Sequence, residues 1–313
     1  MFHTMRSLNL IMPICRDIER LCPGALMLNF TNPEARVLHA ILTLTKVKAA
    51  GICHGVFDAL RAIERWLGKP VGELDVTSAG MNHFYCILQI KDRSTGKDHL
   101  PELIEKAAAG AFADAPPLFR KMAEVFGVFT FPSDDHIGEY LSYGSEYHGI
   151  KWPYGQESRS VNRRPPAVPS LHEYAAGTAA IDANLLRASG EITVPIIADI
   201  ELDRKARRPA VNVLNTGGYI ANLPTTAAIE VPADVDAAGI HPLHVGAVPE
   251  TFAAMMRTQF TIHSLLTEAY RAGSKKLLLQ ALLLDPVVNS ISSAEKLLDD
   301  MLELQRDYLP EFG

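Results

Sequence analysis

Ala25-Leu26-Met27-Leu28-Asn29-Phe30-Thr31-Asn32-Pro33-Glu34, followed by Val47-Lys48-Ala49-Ala50-Gly51-Ile52-Cys53-His54-Gly55, decides the fold. Residues 25–30 and 47–52 are apolar runs of strand length. Each leads into a helical pattern: Val37, Leu38, Ile41 and Leu42 form one stripe, and 56–67 a second helix. Asn32-Pro33 marks the first helix start, with Asn32 as N-cap and Pro at the first helical position. Continuous apolar strands alternating with helices predict a parallel, doubly wound α/β sheet. Ligands in such sheets sit at the carboxyl ends of strands, where Asn29 to Asn32 and Cys53-His54 fall.

Upstream, Leu8, Ile11, Cys15, Ile18 and Cys22 recur at helical spacing, with Pro13 marking a kink or a late start. Downstream the pattern changes. Residues 74–79 and 84–90 are expected as consecutive strands around a Gly80 to His83 corner, and 100–109 and 117–126 as helices. Residues 151–170, rich in Pro, Arg and Ser, form a loop. Strands are expected at 194–200, 211–214 and 227–231, and helices at 251–272, 274–284 and 292–308. The organisation is thus a partial doubly wound sheet over 1–70 and a mixed α+β domain over 71–313. No glycine-rich dinucleotide turn occurs in residues 1–50, and Gly217-Gly218 is too short and wrongly placed to be one.

The 313 residues are 48% hydrophobic with a net charge of -6, enough for a large core and without a basic stripe for nucleic acid. No apolar run spans a membrane, and residues 1–6 lack the form of a signal peptide. Four scattered cysteines, Cys15, Cys22, Cys53 and Cys86, read as reduced thiols of a cytoplasmic protein.

Cys53 and His83 are soft donors at the ends of two apolar runs. Two such ligands leave a divalent cation open to substrate oxygens, as in a catalytic rather than a structural site. Taken alone, Cys53 is an ordinary buried strand-end cysteine and His83 a satisfied turn histidine. The flanking Gly51 and Gly55, with Asn82 beside His83, favour the metal reading. Asn32 divides between N-cap and substrate contact. Asp134-Asp135-His136-Ile137-Gly138-Glu139-Tyr140 is either a solvated helix start or the place of a tyrosine base whose pKa a metal lowers. Arg163-Arg164 is a solvated pair or a partner for a carboxylated substrate.

With these residues assembled, the chain resembles glycoside hydrolase family 4, the NAD- and metal-dependent exception to two-carboxylate hydrolysis. The matching pieces are Leu28 to Pro33, Gly51 to Gly55, Gly80 to Phe84, His136 to Tyr140, Val213 to Gly217, Leu223-Pro224, Ile229 to Pro232 and Ala281 to Pro286. The resemblance implies a second part like the lactate dehydrogenase C-terminal domain, a glycoside substrate, NAD and Mn2+ as cofactors, and a dimer or tetramer. It implies hydride removal from sugar C3, C2 deprotonation by Tyr140, and elimination of the glycosidic oxygen. Cys53 and His83 would hold the metal, Asn32 and Asn82 would contact sugar hydroxyls, and Asn32 would also meet the cofactor. His54, in Cys-His-Gly, resembles the subgroup acting on α-galacturonides, where it would donate a proton to the leaving oxygen or meet a carboxylate. The family's opening nucleotide-binding segment, roughly a hundred residues, has no counterpart here. A non-catalytic family member that pairs with another subunit is therefore the alternative. A 2-hydroxy acid dehydrogenase is the second, and the Cys53/His83 pair argues against it.

Overall fold

The strands quoted above pair as expected in the computed structural model, which describes residues 1–147, 169–182, 186 and 190–313. Helix α1 (Phe2–Leu21) runs through Pro13 and precedes β1 (Leu26–Asn29). Then come α2 (Glu34–Leu44), β2 (Lys48–Gly51) and α3 (Gly55–Leu67). β1 and β2 are parallel, Leu26 opposite Lys48 and Asn29 opposite Gly51. β3 (Leu74–Met81) and β4 (Phe84–Asp92) form a hairpin, followed by α4 (Leu100–Ala108), α5 (Pro117–Phe126), β5 (Phe129–Thr130), α6 (Asp134–Gly138) and α7 (Leu171–Ala175). The chain continues through α8 (Thr193–Glu201), β6 (Ala206–Leu214), β7 (Ala228–Asp236), β8 (Gly239–Pro242), α9 (Glu250–Ala272), α10 (Lys275–Leu284) and α11 (Ile291–Leu304).

Among the described residues one mixed sheet runs β1-β2-β6-β7-β3-β4-β5, with β8 on β7, and every pair except β1/β2 is antiparallel. The α/β class read from the sequence is the observed one. The seam between its parallel and antiparallel parts is a single register pair, Gly51 opposite Asn212. Three buried clusters surround the sheet. In one, Leu8 and Met12 of α1 and Ile41 of α2 meet Leu266 of α9 and Leu278 of α10, so the first and last helices share a core. A larger one packs Ile63 of α3 against Phe84 and Tyr85 of β4 and Phe119 of α5. Each fully buried side chain of this size contributes about 1.5–3 kcal/mol.

Two expectations are corrected. Residues 194–200 form α8, not a strand. Pro195 lies in its first turn, where the missing N–H costs nothing, and Ile196 and Asp199, three apart, are buried together while Val194 and Ile197 are exposed. Buried Asp199 pairs with Arg208 of β6. A short apolar run has no period long enough to separate the two structures. The cap of α2 is Pro33, after a cis Asn32–Pro33 bond, and no side chain caps the helix. The 151–170 loop lies outside the described residues except for 169–170, and Arg163-Arg164 lies wholly outside them.

Gly80 holds the β3 end at φ +157°, and a Cβ there would lie 2.5 Å from Tyr85 Cα and 2.8 Å from the Phe84 carbonyl, both backbone. Gly80→Ala is expected to cost about 1–3 kcal/mol, as overpacking does, measured by urea unfolding.

Candidate functional site

Met81 pairs with Phe84, so Asn82-His83 is a two-residue hairpin turn. His83 has φ +64°, a conformation that favours glycine or asparagine. Left-handed backbone at a non-glycine residue costs about 1–3 kcal/mol, so the turn carries strain at the residue that faces Cys53. The His83 Nε2 lies 3.3 Å from Sγ of Cys53, just beyond β2. His136 stacks edge-on against His83 with ring centroids 4.5 Å apart, and its Nδ1 is 2.7 Å from Ser133 Oγ.

This pair fits a divalent cation. For zinc, metal–sulfur and metal–imidazole bonds of about 2.3 and about 2.0–2.1 Å put the donors about 3.1 Å apart at a right angle and about 3.6 Å apart at the tetrahedral angle. The observed 3.3 Å falls between these. Burial lowers His83 to about 4, with His136 and His54 adding, which keeps it in the neutral, metal-binding form. Burial, with Glu230 and Glu34, pushes Cys53 up to about 11, opposed by Asn82 and the Gly55 backbone, so an arriving cation must displace its proton. No group of three or more His, Cys, Asp or Glu suited to a metal occurs among the described residues.

Behind the pair lies a polar row absent from the sequence reading. Gly51, Asn212, Glu230 and Gly80 are successive cross-strand neighbours on β2, β6, β7 and β3. Oε2 of Glu230 accepts from Nδ2 of Asn82 and of Asn212, each at 3.1 Å, and Asn212 also reaches the Gly51 carbonyl at 3.4 Å. Glu34 folds over Gly51, where a Cβ would lie 1.6 Å from its Oε1, and accepts a long 3.5 Å bond from Asn29. The missing side chain at Gly51 therefore makes room for Glu34, whereas at Gly55 a Cβ would meet its neighbours at ordinary distances of 3.6–3.8 Å. Burial raises both carboxyls, and Glu230 raises Glu34 further.

A 220 Å³ cavity collects Asn32, Asn82, His83 and Tyr140 with Glu34, Arg36, His136, Glu139 and His263. That is below the roughly 300–1,000 Å³ of sites for larger ligands. Asn32 lies three residues beyond β1, which is paired in parallel with β2. It is exposed, and its side chain does not cap α2. Tyr140 packs against Phe84 at 5.0 Å. Burial raises its pKa, the opposite of the lowering a base needs, while Arg36 acts to lower it. Asp134 is buried and accepts the Leu118 and Phe119 N–H groups at 3.1 Å, capping α5 rather than facing solvent. His54 is outside the cavity wall, exposed and 3.2 Å from Glu191. The sequence reading includes Glu230 only within the Ile229 to Pro232 stretch and does not single out Arg36 or His263, because sequence neighbours carry no sign of a cross-strand or cross-helix partner.

Residues 78–288 match the sequence model described as family 4 glycosyl hydrolase C-terminal domain, and residues 1–69 that of family 4 glycosyl hydrolase. An alpha-glucosidase of Erwinia rhapontici is 27% identical, with 99% of this chain aligned to 73% of the relative. An alpha-galactosidase of Bacillus subtilis (strain 168) is 28% identical over the same shares. A 6-phospho-alpha-glucosidase from gut microorganisms, solved in complex with NAD and Mn2+, has the same fold with TM-score 0.76 and 23% identity, over 99% of this chain and 73% of that one. The class is glycoside hydrolase. The chain belongs to family 4 of the glycosyl hydrolases.

Stability should carry the signature of the buried acids. A raised carboxyl pKa contributes stability that is complete below the ordinary glutamate value of 4.5 and lost as pH rises toward the folded-state value. Glu34→Gln is expected to gain stability relative to the parent as pH rises above 4.5, read from melting temperatures at pH 5 and pH 8. An advantage independent of pH would contradict the assignment.

Proposed function

We propose that the chain hydrolyses O-glycosidic bonds by NAD-dependent oxidation at C3, deprotonation at C2 and elimination, acting on an α-galacturonide or an α-galactoside or α-glucoside. The observation that carries this is the 3.3 Å approach of Cys53 Sγ to His83 Nε2 beside the 220 Å³ cavity. The resemblance of these motifs to the family, and NAD and Mn2+ in the related 6-phospho-alpha-glucosidase, support it. When bound, NAD+ would accept the C3 hydride and Mn2+ would supply the Lewis acidity that acidifies the C2 proton.

Cys53 and His83 hold the cation, and the Glu230 carboxyl fixes the Asn82 amide beside it. Asn32 and Asn82 orient the sugar hydroxyls from the cavity wall. Tyr140 takes the C2 proton; its raised pKa means that it acts once nearby positive charge stabilises the phenolate. Loss of the protonated glycosidic oxygen completes the elimination; water would then add at C1, a proton would return to C2 and the hydride to C3, which restores NAD+ and closes the hydrolysis. His54, paired with Glu191, serves the leaving oxygen from outside the cavity or meets a substrate carboxylate. Residues 1–70 supply the strand-end crevice and residues 71–313 the remaining substrate contacts.

The direct test is release of 4-nitrophenol from the three 4-nitrophenyl α-glycosides, with and without Mn2+ and NAD+. Failure with all three sugars when both cofactors are present sinks the proposal. Cys53→Ser should weaken Mn2+ binding by more than the about 10–100-fold that loss of an outer-shell partner of a metal ligand costs, with an unchanged circular dichroism spectrum; equal affinity removes Cys53 from the metal site. Tyr140→Phe should abolish deuterium incorporation at C2 in heavy water, and exchange at the parent rate would assign the base elsewhere.

A further inference from the structure

Three buried side chains around the polar row end in oxygen atoms without a partner. Oε2 of Glu34, Oε1 of Glu230 and Oδ1 of Asn212 make no hydrogen bond among the described residues, although the three side chains belong to residues only 2%, 1% and 1% exposed. All three orphans are acceptors. Buried polar atoms are paired in nearly all folded proteins, so a cluster of orphans of one kind points to a ligand of the opposite kind. The three belong to one place. The position that a Cβ of Gly51 would take lies 1.6 Å from Glu34 Oε1, 2.4 Å from Glu34 Cδ and 2.8 Å from Asn212 Cβ. Asn212 and Glu230 are cross-strand neighbours, and the Asn212 amide donates to Glu230 Oε2 at 3.1 Å.

Nothing nearby compensates the two acids. The hydrogen bonds that reach their side chains come from the neutral amides of Asn29, Asn82 and Asn212, and neither carboxyl forms an ion pair among the described residues. Arg36, on the same helix as Glu34, reaches Gln259 instead, at 3.4 Å. A proton shared between the acids would serve at most two of the three oxygens. One water has two hydrogens to give and brings no charge. A cation meets all three oxygens at once, and charges buried in proteins are paired or coordinate metals.

We propose that Glu34, Asn212 and Glu230 form a cation site of their own behind the Cys53–His83 pair, for a hard divalent ion of the Ca2+ kind. The donors are two carboxylates and an amide oxygen, a set that suits Ca2+ and has no attraction for a soft metal ion. The two carboxylates balance the charge of the ion. Glu34 lines the cavity, which gives the ion and its water ligands a way in. Bound there, the ion ties α2 to β6 and β7 across the single-pair seam between β2 and β6. It uses the Glu230 oxygen that Asn82 does not. The inference goes beyond the glycosidase reading and needs neither sugar nor NAD.

The experiment is calorimetric titration of Ca2+ into the chain stripped of metal with EDTA and desalted, without sugar or NAD+. It is repeated with Cys53→Ser, Glu34→Gln and Glu230→Gln after their melting temperatures confirm folding. The parent is expected to bind one Ca2+, and Cys53→Ser to bind it equally well. Glu34→Gln, the isosteric change, should weaken binding about tenfold or more, because ligand charge sets affinity at oxygen sites. Glu230→Gln should do the same, and Glu34→Gln alone decides the matter where Glu230→Gln does not fold. Ca2+ should also raise the melting temperature of the parent, as a ligand of the native state does, and leave that of Glu34→Gln at its value in EDTA. No Ca2+ binding by the parent overturns the inference. So does binding that Cys53→Ser removes, which would move the ion to the Cys53–His83 pair, or binding that Glu34→Gln leaves intact, which would put it elsewhere.

Discussion

Glu230 is the point on which the site depends. One buried carboxylate oxygen accepts two amide hydrogen bonds, from Asn82 at the β3–β4 turn and from Asn212 on β6. Asn212 in turn reaches the carbonyl of Gly51, two residues before Cys53. The segments carrying Cys53 and His83 are thus tied to the same side chain across the seam where the parallel and antiparallel parts of the sheet meet. That seam has one register pair, so backbone hydrogen bonding alone holds it weakly, and the side-chain network supplies the missing constraint. A carboxyl with two donors on one oxygen is costly to remove, since its loss strands both amides.

The glycines of this region follow from the same packing. Gly51 leaves room for Glu34, and Gly80 leaves room for the backbone of the neighbouring strand. A second acid, Glu34, therefore lies close enough to Glu230 for the Glu230 charge to resist its ionisation. The site is built from neutral imidazoles and acids driven toward neutrality, with Arg36 as its lasting charge.

Much of this was legible in the chain. Apolar runs of strand length alternating with periodic helices identify the β1–α2–β2–α3 unit, and the motifs put Cys53 and Asn82-His83 at strand ends. The errors have physical sources. Residues 193–201 are apolar and β-branched in composition, but Asp199 needed Arg208, a partner on another element, to be buried in a helix. Asp134 resembles a solvated helix start because acids favour first turns; its actual partners are N–H groups of a different helix sixteen and fifteen residues away. Asn32 has the identity of a cap without its geometry.

The sequence by itself determined most of the local elements, the family motifs and the residue types at the strand ends, because period, turn chemistry and residue type act over a few neighbours. The tertiary structure decided which groups meet. It brought Glu230 beneath Asn82 from 148 residues away and set Arg36 beside Gln259 across 223. It also turned His54 away toward Glu191. Such pairings depend on strand register and helix packing, which only the folded chain closes.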